Sequence, residues 1–248
     1  MNRRKLFNAF AALVVVAAAT LSTPALASDK RAKESRSSAV AIVREPLNLA
    51  VLVQDDLVSR VGGELDVTRD FIRALPAGSR VMVGYLTAGS LQVRQPFTDD
   101  LDKAARSLRI PVGTESAAPF NPYVELIEAL KKFDKLDARG ANRNAVLLVS
   151  DGLDVSRGFD ASSSVNSLDL QRAVREARKR EVAVYTFYAP AVGLTSTNST
   201  AVSYGQSSLN QLARETGGEA FFQGTSFVTF DAYFARLGRA LNGGATAY

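Results

Sequence analysis

Leu47-Asn48-Leu49-Ala50-Val51-Leu52-Val53-Gln54 is almost continuously apolar and is followed at once by Asp55-Asp56. A strand with one wet face alternates apolar and polar residues, whereas a strand covered on both faces does not. This run therefore predicts a central strand of a parallel sheet with helices on either side. Working outward, Gly62-Gly63 precedes a helical run with Leu65, Phe71, Ile72 and Leu75 on one side, closed by Pro76-Ala77-Gly78. A second strand is predicted at Arg80 to Leu86. Ser90 to Phe97 alternates and contains Pro96, which suits an antiparallel edge strand in a hairpin. Thr98-Asp99-Asp100 caps a short helix running to Leu108, and the Gly-, Ser-, Thr- and Pro-containing stretch Ile110 to Asn121 reads as a surface loop.

The alternation continues with a helix over Tyr123 to Leu136, a buried strand over Asn144 to Ser150, a helix over Leu168 to Arg180 and a strand over Val182 to Ala189. Pro190 to Gln206 reads as a long loop, followed by a helix at Ser207 to Thr216, a short strand at Ala220 to Gln223 and a last helix at Phe230 to Leu241. Strands that alternate with helices give an α/β domain: a mostly parallel central sheet with one antiparallel edge strand and helices on both faces.

Asn2-Arg3-Arg4-Lys5 is a basic start, Leu6 to Leu21 carries no charge, and Ala25-Leu26-Ala27 has the small residues that signal peptidase requires. Residues 1–27 are thus expected to be a signal peptide cleaved after Ala27, with residues 28–44 a flexible linker, 45–242 the folded domain and 243–248 a tail. The apolar stretch falls short of the roughly 20 residues that span a bilayer, which argues against an uncleaved anchor. The mature chain would be exported to the periplasm or the extracellular space. Cleavage removes three cations from a formal charge of +5 and leaves +2, so no electrostatic case for nucleic acid remains. The chain has no cysteine and no histidine, which removes disulfides, thiolate and Ser-His nucleophiles and the common zinc and copper sites.

Oxygen chemistry remains. In an open parallel sheet ligands bind beyond the carboxyl ends of the strands, where the winding reverses, and Asp55, Asp56, Asp151 and Asp154 all follow strand ends. If the strands before Asp55 and Asp151 are neighbours, their carboxylates converge, and a hard divalent cation, Mg²⁺ or Ca²⁺, would relieve the repulsion. The simpler account of the same acids is that they accept hydrogen bonds from backbone N–H groups of the following turns.

The acidic turn with a serine after the first strand, Ser150-Asp151-Gly152 after a later one, and Leu212-Ala213-Arg214-Glu215-Thr216-Gly217-Gly218 before a short strand resemble a von Willebrand factor A domain, in particular its secreted bacterial form. The resemblance covers about Leu47 to Gly224. It implies a Rossmann-like three-layer sandwich with a metal-ion-dependent adhesion site on its upper rim, built from an Asp-x-Ser-x-Ser turn, a loop threonine and the aspartate of a Ser-Asp-Gly turn. Carried onto this chain, it implies Asp55, Ser59 and Asp151 as metal ligands, with Asp56 and Thr114 as weaker candidates. Leu57 stands where the family has a serine and Phe120 where it has the threonine, so the site is degenerate and affinity for Mg²⁺ or Ca²⁺ is expected to be weak or absent.

The expected function is that of an exported, noncatalytic module that binds a protein or other macromolecule through this rim. The alternatives are an exported hydrolase using the carboxylates with a metal or an activated water, and a structural subunit of an envelope complex.

Overall fold

The computed structural model describes residues 43–58, 60–113, 120–136, 142–159, 167–222 and 230–242. The predicted leader, most of the linker, the tail, Ser59 and Thr114 lie outside these residues. Six strands form one sheet: β1 (Leu47–Gln54), β2 (Arg80–Thr87), β3 (Ser90–Thr98), β4 (Arg143–Ser150), β5 (Val182–Tyr188) and β6 (Ala220–Phe221). Their spatial order is β3-β2-β1-β4-β5-β6, and every pairing is parallel except β2 with β3. The expected α/β sandwich with one antiparallel edge strand is the observed one.

All eight residues of β1 are buried, and their side chains divide by parity between two cores. Leu47, Leu49, Val51 and Val53 face α1 (Val61–Arg73), α2 (Leu101–Ser107) and α7 (Phe230–Asn242). Ala50 and Leu52 face α3 (Pro122–Leu130), α4 (Leu168–Lys179) and α6 (Ser199–Glu215) on the other side. Period-two alternation thus persists in direction while both directions are apolar, which is why the sequence reads as an unbroken run. On the first face Phe187 of β5 has ring contacts at centroid distances of 5.0–5.2 Å with Phe221, Phe230, Tyr233 and Phe234, fastening α7 to the sheet.

The two sheet edges differ from the centre. Along β3 the exposed residues are Ser90, Gln92, Arg94 and Pro96, and the pairing with β2 shifts register twice. β6 has two residues.

Several boundaries depart from the sequence expectation. The first helix begins at Val61 and takes Gly62-Gly63 into its first turn; a Cβ at Gly62 would lie 3.0 Å from the Ile110 side chain, so the missing side chain lets the helix approach that loop. The helix expected at Tyr123 to Leu136 runs from Pro122, with Asn121 as its cap, to Leu130 and is followed by a 3-10 turn at Phe133–Lys135. The strand expected to reach Gln223 is paired at Ala220 and Phe221. The largest correction concerns Pro190 to Gln206, expected as a loop. It contains a single helical turn, α5 (Leu194–Thr197), and the first half of α6. Asn198 starts α6 by accepting from the N–H groups of Thr200 and Ala201, and Ala201, Val202, Gly205, Ser208, Leu209 and Leu212 form its buried stripe. Serine, threonine and glycine are poor helix formers, but burial of that stripe outweighs their local preference.

Gly205 of α6 lies directly over the turn after β4. A Cβ on Gly205 would sit 2.0 Å from the carbonyl oxygen of Asp151, and one on Gly152, whose φ is +70°, would sit 2.5 Å from the carbonyl of Gly205. Backbone meets backbone here, and both glycines are needed for it. Gly205→Ala is expected to lower stability by about 3 kcal/mol through overpacking; an unchanged urea midpoint would show that the helix simply lifts away.

On the same face of the sheet, Glu125 of α3 is buried, one carboxyl oxygen accepting from the Gly89 N–H at 3.1 Å and the other having no partner among the described residues. Burial pushes this carboxyl from 4.5 up to about 7. The folded chain therefore holds the proton more tightly than the unfolded chain. The resulting stability is fully present below about pH 4.5 and is lost as pH rises towards 7. In urea denaturation across that range, Glu125→Gln should flatten this decline; parallel curves for variant and wild type would rule Glu125 out as its source.

Candidate functional site

β1 and β4 are direct neighbours, paired from Leu47↔Arg143 to Val53↔Val149, and the winding reverses between them. The turns carrying Asp55-Asp56 and Asp151 therefore leave the same rim. They are joined by the side chain of Gln54, which is buried at the end of β1. Its Oε1 accepts from Ser150 Oγ at 2.5 Å and from the Asp151 N–H at 3.1 Å, while its Nε2 donates to Asp56 Oδ1 at 2.7 Å. Ser150 Oγ in turn accepts from the Gly152 N–H at 2.9 Å, fixing the Ser150-Asp151-Gly152 turn.

Asp151 is enclosed. Oδ1 accepts from the Leu153 N–H at 3.1 Å and Oδ2 from the hydroxyl of Thr195, in α5, at 3.0 Å. Burial, with a further contribution from the Asp56 carboxylate, pushes its carboxyl up to about 7 against the stabilising effect of these donors. Thr195 is itself buried, and its hydroxyl also accepts from the Ala191 N–H at 2.8 Å. Next to it the chain folds back over the first turn: Val58 N–H donates to Pro190 O at 3.0 Å, Val192 N–H to Asp56 O at 2.8 Å, and Leu57 bridges to Ala191. Leu57 is completely buried beneath this segment. It serves as an apolar anchor in the position where the resemblance calls for a hydroxyl.

Asp55 is held by an arginine. Arg109, in the loop after α2, donates from Nη1 to Oδ1 at 2.6 Å and from Nη2 to Oδ2 at 2.7 Å, a two-pronged fork, and the Val112 N–H adds a third bond to Oδ1 at 3.1 Å. The guanidinium lies 4.0 Å from the centroid of the Tyr85 ring. The Tyr85 hydroxyl donates to the Arg109 carbonyl and accepts from its N–H, both at 2.6 Å. Asp55 holds the Arg109 proton more firmly than usual. Neither Arg109 nor Thr195 was singled out in the sequence, because each acts from a segment without periodicity.

Asp56 has a different setting. It receives the neutral Gln54 donor, and burial raises its carboxyl above the usual range. Together with Asp55 it floors a cleft of about 190 Å³ walled by the end of β2 (Leu86, Thr87) and the following Ala88, by Val112 and by Phe120. Phe120, which stands at the position of the family's threonine, is buried, and its carbonyl accepts from the Val155 N–H at 2.9 Å. Asp154 accepts from Ser156 and Ser167 and forms a turn apart from these groups.

No family model matches this sequence, and no curated protein matches it. Solved structures do. An aerotolerance-related membrane protein from Bacteroides fragilis NCTC 9343 superposes with a TM-score of 0.51 at 9% identity, over 79% of this chain and 99% of the other. The conserved hypothetical protein BatB from Bacteroides thetaiotaomicron gives 0.50 at 11% identity, over 81% and 100%. A looser match is the VWA domain of SpRpn10, with a TM-score of 0.46 at 12% identity, over 81% and 100%. The fold is von Willebrand factor A-like. At these identities the likeness concerns the fold, and the rim has to be judged on its own residues.

Measured against a von Willebrand factor A adhesion site, the described residues fit a divalent cation poorly. Both oxygens of Asp55 are taken by a guanidinium, both oxygens of Asp151 by the chain's own donors, and Leu57 offers no oxygen. Among the described residues no group of three or more His, Cys, Asp or Glu is placed to hold a metal.

The Asp55–Arg109 pair is largely shielded, with side-chain exposures of 13% and 26%. Arg109→Met strips Asp55 of its charged partner and is expected to cost about 2–3 kcal/mol. In a double-mutant cycle with Asp55→Asn, read by urea denaturation, the two losses should fall well short of additive. Strict additivity would mean that the fork contributes nothing.

Proposed function

We propose that the chain is exported after loss of residues 1–27 and acts outside the cytoplasm as a noncatalytic module that binds a protein or other macromolecule. Contact is made through the rim at the carboxyl ends of the strands, around Asp55 to Val58, Ile110 to Gly113, Asp151 to Asp154 and Pro190 to Thr197, without a divalent cation.

The observation that carries this reading is the Arg109 fork on Asp55. In the family's usual arrangement a metal supplies positive charge to the rim; here the chain supplies it covalently and saturates it internally. The fork also holds a loop in place whose Ile110 and Val112 are 58% and 61% exposed. Apolar side chains presented on a fixed loop suit recognition of a surface. A noncatalytic role is supported by the state of two of the three carboxylates a hydrolase would use: Asp55 is locked in an ion pair and Asp151 is closed off from solvent, which leaves Asp56 in the cleft without a second free carboxylate to work with. Among the described residues no helix is long and apolar enough to cross a membrane.

A photo-activatable amino acid placed at Val112 tests this in the exported chain, with Glu45, at the far end of β1, as the comparison position. The expected outcome is a discrete cross-linked species from position 112 that is absent from position 45 and unchanged by EDTA. Loss of the species in EDTA would reinstate a metal-dependent rim, and its absence from position 112 would favour a structural subunit with an inert rim.

A further inference from the structure

We propose that the cleft beside Asp56 is a receptor for a basic side chain, the ammonium or guanidinium of a lysine or arginine presented by the partner among aliphatic residues. This rests on the binding role proposed above and names the chemistry the rim selects.

Among the described residues four carboxylates stand at the rim; Asp154 is held by Ser156 and Ser167, and the states of the other three differ. Asp55 has both oxygens and its charge matched by Arg109. Asp151 is buried with both oxygens engaged by Leu153 and Thr195. Asp56 receives only neutral donors, the Gln54 amide and its own backbone N–H, and among the described residues no lysine or arginine forms an ion pair with it. It faces the cleft of about 190 Å³, whose remaining walls include Leu86, Ala88, Val112 and Phe120. A carboxylate among apolar walls has lost hydration without gaining a counter-ion, and a cation delivered into the cleft restores that loss. The apolar walls match the methylene stem that carries such a cation.

The same features disfavour an anion. Arg109, the nearby cation, is saturated by Asp55, so a partner carboxylate entering the cleft would meet Asp56 with nothing between them. The polarity of recognition is thus the reverse of a metal-bearing rim, where the cation is resident and the ligand brings the acid.

The test is selection of a displayed random-peptide library on the full exported chain, followed by fluorescence anisotropy with the enriched peptides. Enrichment of one lysine or arginine flanked by apolar residues is expected. Asp56→Asn, which keeps an oxygen to accept from Gln54, should weaken binding by about tenfold or more, and so should replacing the basic residue of the peptide by norleucine; the two losses should not add. Thr87→Lys, which brings a resident ammonium to the cleft wall, should block the same peptides, and Asp99→Asn should leave them unaffected. Rim-binding peptides that are acidic, or that bind as well with norleucine, would overturn the basic-residue receptor and leave the binding module standing. No enriched peptide at all would count against both.

Discussion

The amide of Gln54 lies between the ends of two neighbouring strands and hydrogen-bonds in three directions: to the Ser150 hydroxyl, to the Asp151 N–H and to the Asp56 carboxylate. Buried amides of this kind are costly unless satisfied, and once satisfied they specify a single arrangement. Here the relay running from the Gly152 N–H through Ser150 Oγ to Gln54 Oε1 sets the turn after β4 relative to the turn after β1. The orientation of Asp151 follows from that turn, and the Thr195 bond then draws α5 and the 190–192 segment over Leu57. The close contact of Gly152 with Gly205 completes the arrangement by leaving α6 no room to move inward. The rim is thus a consequence of one strand-end residue whose side chain is long enough to reach the next strand.

On this frame the chain balances most of its charge by itself. A parallel sheet that ends two adjacent strands in acids concentrates negative charge at the switch point, and some counter-charge must be found. Arg109 provides it for Asp55, held flat by the Tyr85 ring and aimed by bonds between the Tyr85 hydroxyl and its own backbone. An arginine fork suits this position because it is always charged, is weakly hydrated and matches a carboxylate in geometry. For Asp151 the solution is burial with a proton affinity raised towards neutrality. Two physically different solutions at the ends of adjacent strands thus hold the two acids within one rim.

The sheet was legible because its signal is dense. LNLAVLVQ could hardly be anything but a doubly covered strand, and the acids at the ends of β1 and β4 follow from the same alternation of elements that gives the strand order. The glycine of Ser150-Asp151-Gly152 has its physical reason only in the structure, where its φ is positive and a side chain would strike α6. The site was legible only as a set of acids. Arg109 lies in Arg109-Ile110-Pro111-Val112-Gly113, where nothing local distinguishes a structural cation from a solvated one; its role depends on β2 placing Tyr85 beneath it. Thr195 was hidden because the stretch from Pro190 to Gln206 has loop-like composition, and only contact with the sheet makes it helical. Gln54 is legible as the last residue of a strand, yet its function depends on β4 being next door.

The borders of the sheet bear on how this molecule meets others. Among the described residues the outer flank of β3 has no partner strand, its exposed residues include Arg94 and Pro96, its ladder with β2 slips register twice, and β6 is a stub of two residues. Neither presents the long regular row of amides on which a further strand could grow. Concentrated solutions should resist edge-to-edge aggregation, and an added polypeptide would gain little by joining the ladder at either edge. Any contact of this fold with another molecule would then fall to side chains, which can change one residue at a time without disturbing the hydrogen-bonded framework beneath.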